Sequence, residues 1–470
     1  MGPIVDAFAR LVRDQPARPA LWSRFEDLRL TFGELDERVA EWERRLAHLP
    51  AEPMALATGN CAAFPELFLA LRRLDRVVVA MDGTLPLSAR AELCRRLGIA
   101  WLLHREPEAA EGGAPIPHGE RPHGESTLLG GDVRLLRLAG VEPLAAPAGT
   151  ALVKLTSGST GEPVGVCLSE EALRAGIGHI VEGMSIRPDD RVLIAIPLSH
   201  SYGFDSGVLS LAVHGTPLVI VRRFFPVPLL EALAAGEVTF FPTVPPLVRA
   251  LAEVEWPEGL PLRTVICAGA PLPVDTARRF RQRSGRWVHQ FYGSTESGGI
   301  CYEADPADPA AEGAVGRPLP GVRVCLGEAG TVAVHSPANF GGYWGRDREL
   351  VPRTVTAGDT AELGPDGRLR LTGRTAEIFN VGGRKIAAAT LEAALRGATG
   401  VEELAVVGID DPVRGDRLVA FLVANGRRVD VSSLPSGLQP REVRLVSTLP
   451  YTERGKLDRQ RLREWARSRG

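Results

Sequence analysis

Between residues 151 and 301 the chain repeats one pattern: a short apolar run, a loop, then a helical stretch. ALVKL, RVLIAIPL, VTFFPTVPP, TVICAGAPL and WVHQFYGSTES read as strands running into loops. SEEALRAGIGHIVEGM and VDTARRFRQRSG carry helical spacing, with Ser169 placed to cap the first. Strands alternating with helices predict parallel α/β sheets, because a parallel neighbour needs a crossover connection. Ligands of such sheets bind at the carboxyl ends of the strands. The loops here follow strands, so they can converge on one crevice.

Residues 1–100 mix amphipathic helices with short strands. LTFGELDERVAEWERRLAHL puts Leu35, Val39, Trp42 and Leu46 on one helix face, and RVVVAMDG reads as a buried strand ending in a turn. Residues 103–150, rich in Glu, Pro, Gly and His, read as a surface excursion with little regular structure. After about residue 310, VRVCLGEAGTVAVHS and AELGPDGRLRLTGR read as β-hairpins. From about 376 a compact α/β tail follows: IAAATLEAALRG as a helix, LAVVGID and DRLVAFLVANG as strands, and a short terminal helix. A length of 470 residues implies two or three domains or subdomains.

Composition narrows the function. The net charge of −2 gives no basic field for nucleic acid or an anionic membrane. No apolar run reaches the 18 residues a membrane span needs, and MGPIVDAFARLVRDQ lacks the pattern of a secretory signal. Asp6 stands where a myristoylation motif starting at Gly2 wants Ser or Thr. The six cysteines are scattered with no CxxC pair, as expected of buried thiols in a reducing cytoplasm. His118 and His123 lie in a Pro/Gly-rich stretch with no cysteine nearby and make a poor metal pair.

LTSGSTGEPVGV, residues 155–166, can turn its backbone N–H groups inward around an anion. The cradle would comprise Thr156, Ser157, Gly158, Ser159, Thr160 and Gly161. A phosphate loop usually adds a cation, yet between Pro163 and Gly165 stands Val164. Lysine is scarce: Lys154, Lys385 and Lys456 are the only three among 55 basic residues. Each is therefore a candidate for work that suits a compact, flexible point charge.

In order along the chain, LTSGSTGEPVGV, PLSHSYG, CAGAP, YGSTES, GDT, GR followed by VGGRKI, and LPYTERGKLDR resemble the motifs of the acyl-adenylate-forming (AMP-binding) superfamily. Stand-alone acyl-CoA synthetases are the most similar members. The resemblance covers nearly the whole chain. It implies a large N-terminal AMP-binding domain, 1–375, of parallel and mixed sheets with helices and a β-rich subdomain. A small, mobile α+β C-terminal domain, 376–470, would rotate between two half-reactions. In the first, a carboxylate attacks the α-phosphate of ATP, giving acyl-AMP and pyrophosphate. In the second, a thiol of CoA or of a carrier protein's phosphopantetheine takes the acyl group.

The same resemblance implies residue roles. Tyr292, beside Gly293, would stack on adenine; Thr295 would bond the α-phosphate, and Glu296 would hold Mg²⁺, a hard ion suited to carboxylate oxygen. Asp359 would accept both ribose hydroxyls and Arg374 would face the ribose. Ala268, Gly269 and Ala270 would line adenine and the acyl substrate. Lys456 would bridge carboxylate and α-phosphate as charge develops, while Lys385 and Gly383 would face the thiol's path. His200, Tyr202 and Phe204 would shape the acyl pocket, with Gly269.

Two positions depart from the superfamily pattern: Val164 replaces the lysine of the P-K-G stretch, and Ala376 replaces the usual Asp or Lys hinge. Lys154 shares a strand face with Thr156, so it is a candidate for the missing cation at the triphosphate. Asp205, in GFDS, resembles the aspartate that binds an α-amino group in peptide synthetases and keeps an amino-acid-activating enzyme as an alternative. A degenerate nucleotide-binding regulator is the other. Fatty or aryl acids are the favoured substrates.

Overall fold

The computed structural model describes residues 2–105, 124–142, 146–157, 163–222, 226–306, 313–345, 354–374, 378–381, 384–388, 401–411, 415–424, 442–452 and 457–468, with residues 144, 391, 392, 395 and 440. These fall into two compact units. The first spans residues 1–310, 316–323 and 334–355, and the second spans 311–315, 324–333 and 356–470.

The strands of the first unit begin with β1 (Pro19–Ser23), β2 (Leu28–Thr31), β3 (Met54–Ala57), β4 (Val78–Ala80), β5 (Trp101–Arg105), β6 (Gly124–Gly130) and β7 (Val133–Leu138). They continue with β8 (Leu152–Ser157), β9 (Pro163–Leu168), β10 (Val192–Ile194), β11 (Leu218–Ile220), β12 (Phe240–Thr243), β13 (Thr264–Cys267), β14 (Val288–Ser294) and β15 (Gly298–Tyr302). In one sheet β14, β13, β12, β10, β11 and β1 run parallel, with β15 antiparallel beside β14 and β2 antiparallel at the edge beyond β1. In the other, β8, β4, β3 and β5 are parallel, with β9 and the pair β7–β6 antiparallel at the flanks. The strand–helix alternation thus produces the parallel sheets it predicts, with the motif loops at strand carboxyl ends.

Local chemistry explains the helices. Phe32–Leu46 starts at a capping box: the Thr31 hydroxyl accepts the Glu34 N–H at 3.3 Å, and the Glu34 carboxylate takes the Thr31 N–H at 2.8 Å. Its face Leu35, Val39, Trp42 and Leu46 is buried as the spacing requires. Ser169 caps Glu170–Gly183, accepting the Ala172 N–H at 3.2 Å. The excursion expected over 103–150 is corrected in part. VRLLRL forms β7, which pairs with β5 and buries Val133, Leu135, Leu136 and Leu138. Residues 106–123, including His118 and His123, lie outside the described residues.

In the second unit, residues 359–363 of the strand Thr354–Leu363 pair antiparallel with Leu369–Arg374, as the PDG turn between them predicts. A longer hairpin joins Val401–Asp411 to Gly415–Ala424 and is buried on both faces. Leu404, Val406, Leu418 and Leu422 pack one way, and Ala405, Val407, Val419 and Phe421 pack against Leu462 and Ala466 of the terminal helix Arg459–Arg467. The helix expected over IAAATLEAALRG lies largely outside the described residues. No helix among the described residues is long and apolar enough to cross a membrane.

Candidate active site

The strands β8 and β9 form the two arms of the phosphate-loop hairpin. Their register sets Thr156 opposite Val164 and Ser157 opposite Pro163. The Thr156 hydroxyl donates to the Val164 carbonyl at 3.4 Å. Gly158, Ser159, Thr160 and Gly161, between the arms, lie outside the described residues. Gly165 is required sterically, because a Cβ there would come within 2.7 Å of the Trp344 Cβ. Trp344 belongs to this hairpin's far side: its N–H donates to the Gly165 carbonyl at 2.8 Å, and the short strand Gly342–Tyr343 pairs with β9, Tyr343 opposite Val166.

The placement of Lys154 corrects the expectation that it serves the triphosphate. Its side chain is 3% exposed, and the ammonium lies 2.6 Å from Asp205 Oδ1 and 3.1 Å from Ser201 Oγ. The Phe204 ring centroid is 5.3 Å away. A buried ammonium needs a counter-charge within contact distance, and Asp205 supplies it. Burial raises the Asp205 carboxyl, and Lys154 works against that shift.

Ser201, Tyr202 and Asp205 sit on a helix that opens as Ser201–Phe204 and widens into a π-helix, Asp205–His214. His200 stands at its N-cap, with Nε2 3.5 Å from Asp82 Oδ2. Asp82 also accepts the Thr84 N–H at 2.9 Å and hydroxyl at 2.7 Å. Desolvation opposes ionisation of Asp82, but the His200 ring and the Thr84 donors outweigh it and hold the carboxyl well below the usual range. Asn60 clamps the strand end before His200, donating to the Ile196 carbonyl at 3.0 Å and accepting the Leu198 N–H at 2.8 Å. Tyr202 donates its hydroxyl to the Ile266 carbonyl at 3.2 Å, and its ring lies 5.6 Å from that of Phe291. Phe204, expected at the acyl pocket, is fully buried and lies edge-on to Phe68 at 4.9 Å.

The β14–β15 turn carries YGSTES. Tyr292 is buried, while Thr295 and Glu296 are partly exposed at the turn. Gly293 allows the strands to close, since a Cβ there would meet the Gly298 carbonyl at 2.6 Å. The Glu296 carbonyl accepts the Phe340 N–H at 2.7 Å, and its Oε1 accepts the Tyr343 hydroxyl at 3.4 Å. After β13, Ala268 donates to the Thr243 carbonyl at 3.2 Å, and Gly269 adopts φ +90°, which favours glycine before Ala270.

In the second unit, Asp359 is 8% exposed and pairs in register with Arg374. Lys385 lies on the strand Arg384–Ala387, opposite Asn380. The side chains of Arg374 and Lys385, and residues Ala376, Gly383 and Lys456 entirely, lie outside what the structure describes.

The model of the AMP-binding enzyme family matches residues 8–344, and that of the AMP-binding enzyme C-terminal domain matches 390–456. The chain belongs to the AMP-binding enzyme family. A feruloyl-CoA synthase from an Amycolatopsis species is 30% identical over 461 residues, covering 91% of this chain and 92% of that protein. A salicylyl-CoA synthase / salicylate adenylyltransferase from a Streptomyces species is 29% identical, covering 68% of this chain and 63% of the relative. ATP-bound MatB from Rhodopseudomonas palustris superposes with a TM-score of 0.80 at 21% identity, covering 99% of each chain. The amide bond synthetase McbA from Marinactinospora thermotolerans gives 0.77 at 26% identity, covering 99% of this chain and 100% of that one.

This AMP-binding enzyme is an AMP-forming acid–thiol ligase that uses ATP and CoA on a carboxylic acid. Sequence reasoning missed Asn60, Asp82 and Tyr343, which brace the site. Asp82 carried one local signal: MDGT reads as a turn in which an Asp oxygen accepts from the residue two ahead.

Proposed function

We propose that this AMP-binding enzyme activates an aryl carboxylic acid as its acyl-AMP and passes the acyl group to CoA. The observation that carries this reading is Tyr343. Its strand pairs with the phosphate-loop hairpin and its hydroxyl reaches the Glu296 carboxylate, so one residue ties the anion cradle to the acidic turn. The feruloyl-CoA and salicylyl-CoA synthases among the relatives favour an aryl acid over a fatty acid.

In this reading Glu296, a partly exposed carboxylate, would hold Mg²⁺, which neutralises phosphate charge when bound. Thr156 and Thr295 would donate to phosphate oxygens, Tyr292 would face adenine, and Asp359 with Arg374 would hold the ribose. Ala268, Gly269 and Ala270 would line the nucleotide and acyl sites beside His200 and Tyr202. Lys456 would stabilise charge at the reacting carboxylate, and Gly383 with Lys385 would flank the thiol's path. We further propose a division near 375/376, with a mobile small domain, and a cytoplasmic setting that keeps the thiols reduced. A carrier-protein phosphopantetheine is the alternative acceptor.

The test is thioester formation from ATP, CoA and a panel of aryl, fatty and amino acids, read by mass spectrometry. Aryl-CoA with release of AMP is the expected product. Turnover only with amino acids, or only with a carrier protein, overturns the reading.

A further inference from the structure

Three adjacent strands of one sheet, β8, β4 and β3, each send one polar side chain to the segment 196–205. Lys154, on β8, holds Ser201 and Asp205. Asn60, three residues past β3, clamps Ile196 and Leu198. Asp82, two residues past β4, faces His200. The Asp82 contact is the one that falls on a ring proposed above for the acyl site.

Asp82 is fixed independently of that ring. Its Oδ1 accepts both the Thr84 N–H at 2.9 Å and the Thr84 hydroxyl at 2.7 Å. Gly83 packs so closely on the loop after β3 that a Cβ there would meet the Gly59 nitrogen at 2.5 Å. An asparagine would make the same turn through its carbonyl oxygen without burying a charge. A carboxylate whose side chain is only 7% exposed is a costly brace for a loop, so its charge answers to another group. The buried Arg90 guanidinium, which donates to the Ala57 carbonyl at 3.1 Å, favours the ionised form from one side. On the other, Oδ2 faces His200 Nε2 at 3.5 Å, while the His200 side chain, 17% exposed, stays partly open to solvent. An ionised carboxylate can only accept, so it keeps a proton on the nitrogen it faces and thereby sets the ring's tautomer.

We propose that Asp82 is a positioning residue for acid activation: it fixes the plane of the His200 ring and keeps Nε2 protonated, so that the acyl site meets one edge of that ring in one protonation pattern. The inference rests on the proposed activation of an aryl acid, with His200 at the acyl site. It accounts for the carboxylate at position 82, where the turn alone needs only an acceptor oxygen.

The experiment measures ATP–pyrophosphate exchange with benzoate and cinnamate, acid and ATP varied in turn, for the wild type, Asp82→Asn, His200→Ala and the double variant. Asp82→Asn is expected to lower kcat/KM for the acid by about tenfold or more, with KM for ATP unchanged. On the His200→Ala background the same substitution should change kcat/KM by less than about twofold, because its effect passes through the ring. NMR of the imidazole nitrogens, with the His200 signals assigned by their loss in His200→Ala, reads the proton directly. Nε2 is expected to carry it in the wild type and to lose that preference in Asp82→Asn. Additive losses in the two single variants, or a KM for ATP that rises with that for the acid, overturn the proposal and leave acid activation standing. So does a wild-type Nε2 without a proton, a result that needs neither turnover nor a variant of Asp82. Absence of exchange with both acids overturns the activation reading itself, and the NMR then decides whether Asp82 sets the ring.

Discussion

Thr156 and Val164 face each other across the phosphate-loop hairpin, the hydroxyl of one on the carbonyl of the other at 3.4 Å. Directly opposed residues project to the same sheet face, so the side chain at 164 shares a face with Thr156 and Lys154. The superfamily's usual lysine would stand there, beside the anion cradle. Lys154 lies diagonal to it but is committed to Asp205. Val164→Lys is therefore expected to tighten ATP, lowering its KM about five- to tenfold. The KM for the acid should stay unchanged. Steady-state kinetics with each substrate varied in turn checks it.

Breaking the buried pair from one side should destabilise more than removing both charges. Lys154→Met leaves the Asp205 carboxylate unpaired in a nearly dry site and is expected to cost about 3–5 kcal/mol. The double variant Lys154→Met/Asp205→Leu should recover most of that loss. Calorimetric melting of the four proteins in the cycle measures the coupling; strictly additive losses would rule out a coupled pair.

Asp82 should make the larger unit acid-sensitive. Its folded carboxyl is held below the ordinary value, so its contribution is complete above about pH 4, where an unfolded Asp is ionised, and drains away as pH falls further. Asp82→Asn is expected to lower the melting temperature at pH 7. The gap to wild type should narrow below about pH 4. A gap that stays constant with pH would show that Asp82 gains nothing from being charged.

The thiols offer a check on packing. Desolvation pushes Cys61 up to about 11, Cys94 to about 12 and Cys167 to about 11, and carries Cys267 and Cys301 higher still. All five are buried, whereas Cys325 is exposed. Alkylation of the native enzyme near neutral pH is expected to label Cys325 rapidly and the others only after unfolding, as peptide mapping would read.

The parallel architecture was legible because it rests on periodicity. Strand runs and helical faces such as Leu35, Val39, Trp42 and Leu46 are set by spacing that side chains display directly. The loops that build the site were legible from their order. The burial of β7 was not, because VRLLRL mixes two charges with four apolar residues and gains its place only by pairing with β5. The ring partners of Phe204 were not legible either, since Phe64 and Phe68 lie far away in sequence. The partner of Lys154 was equally out of reach. Strand alternation gave its face, but Asp205 meets it from a helix 51 residues on.

The central claim is that the YGSTES turn and the phosphate-loop hairpin form one ATP-dependent acid-activating site. ATP–pyrophosphate exchange, measured with an aryl acid for wild type and Glu296→Gln, tests it most directly. The account predicts acid-dependent exchange that falls by about a hundredfold or more in the variant while the fold and its melting temperature are retained. Exchange that is independent of the acid, or undiminished without the Glu296 carboxylate, would contradict it.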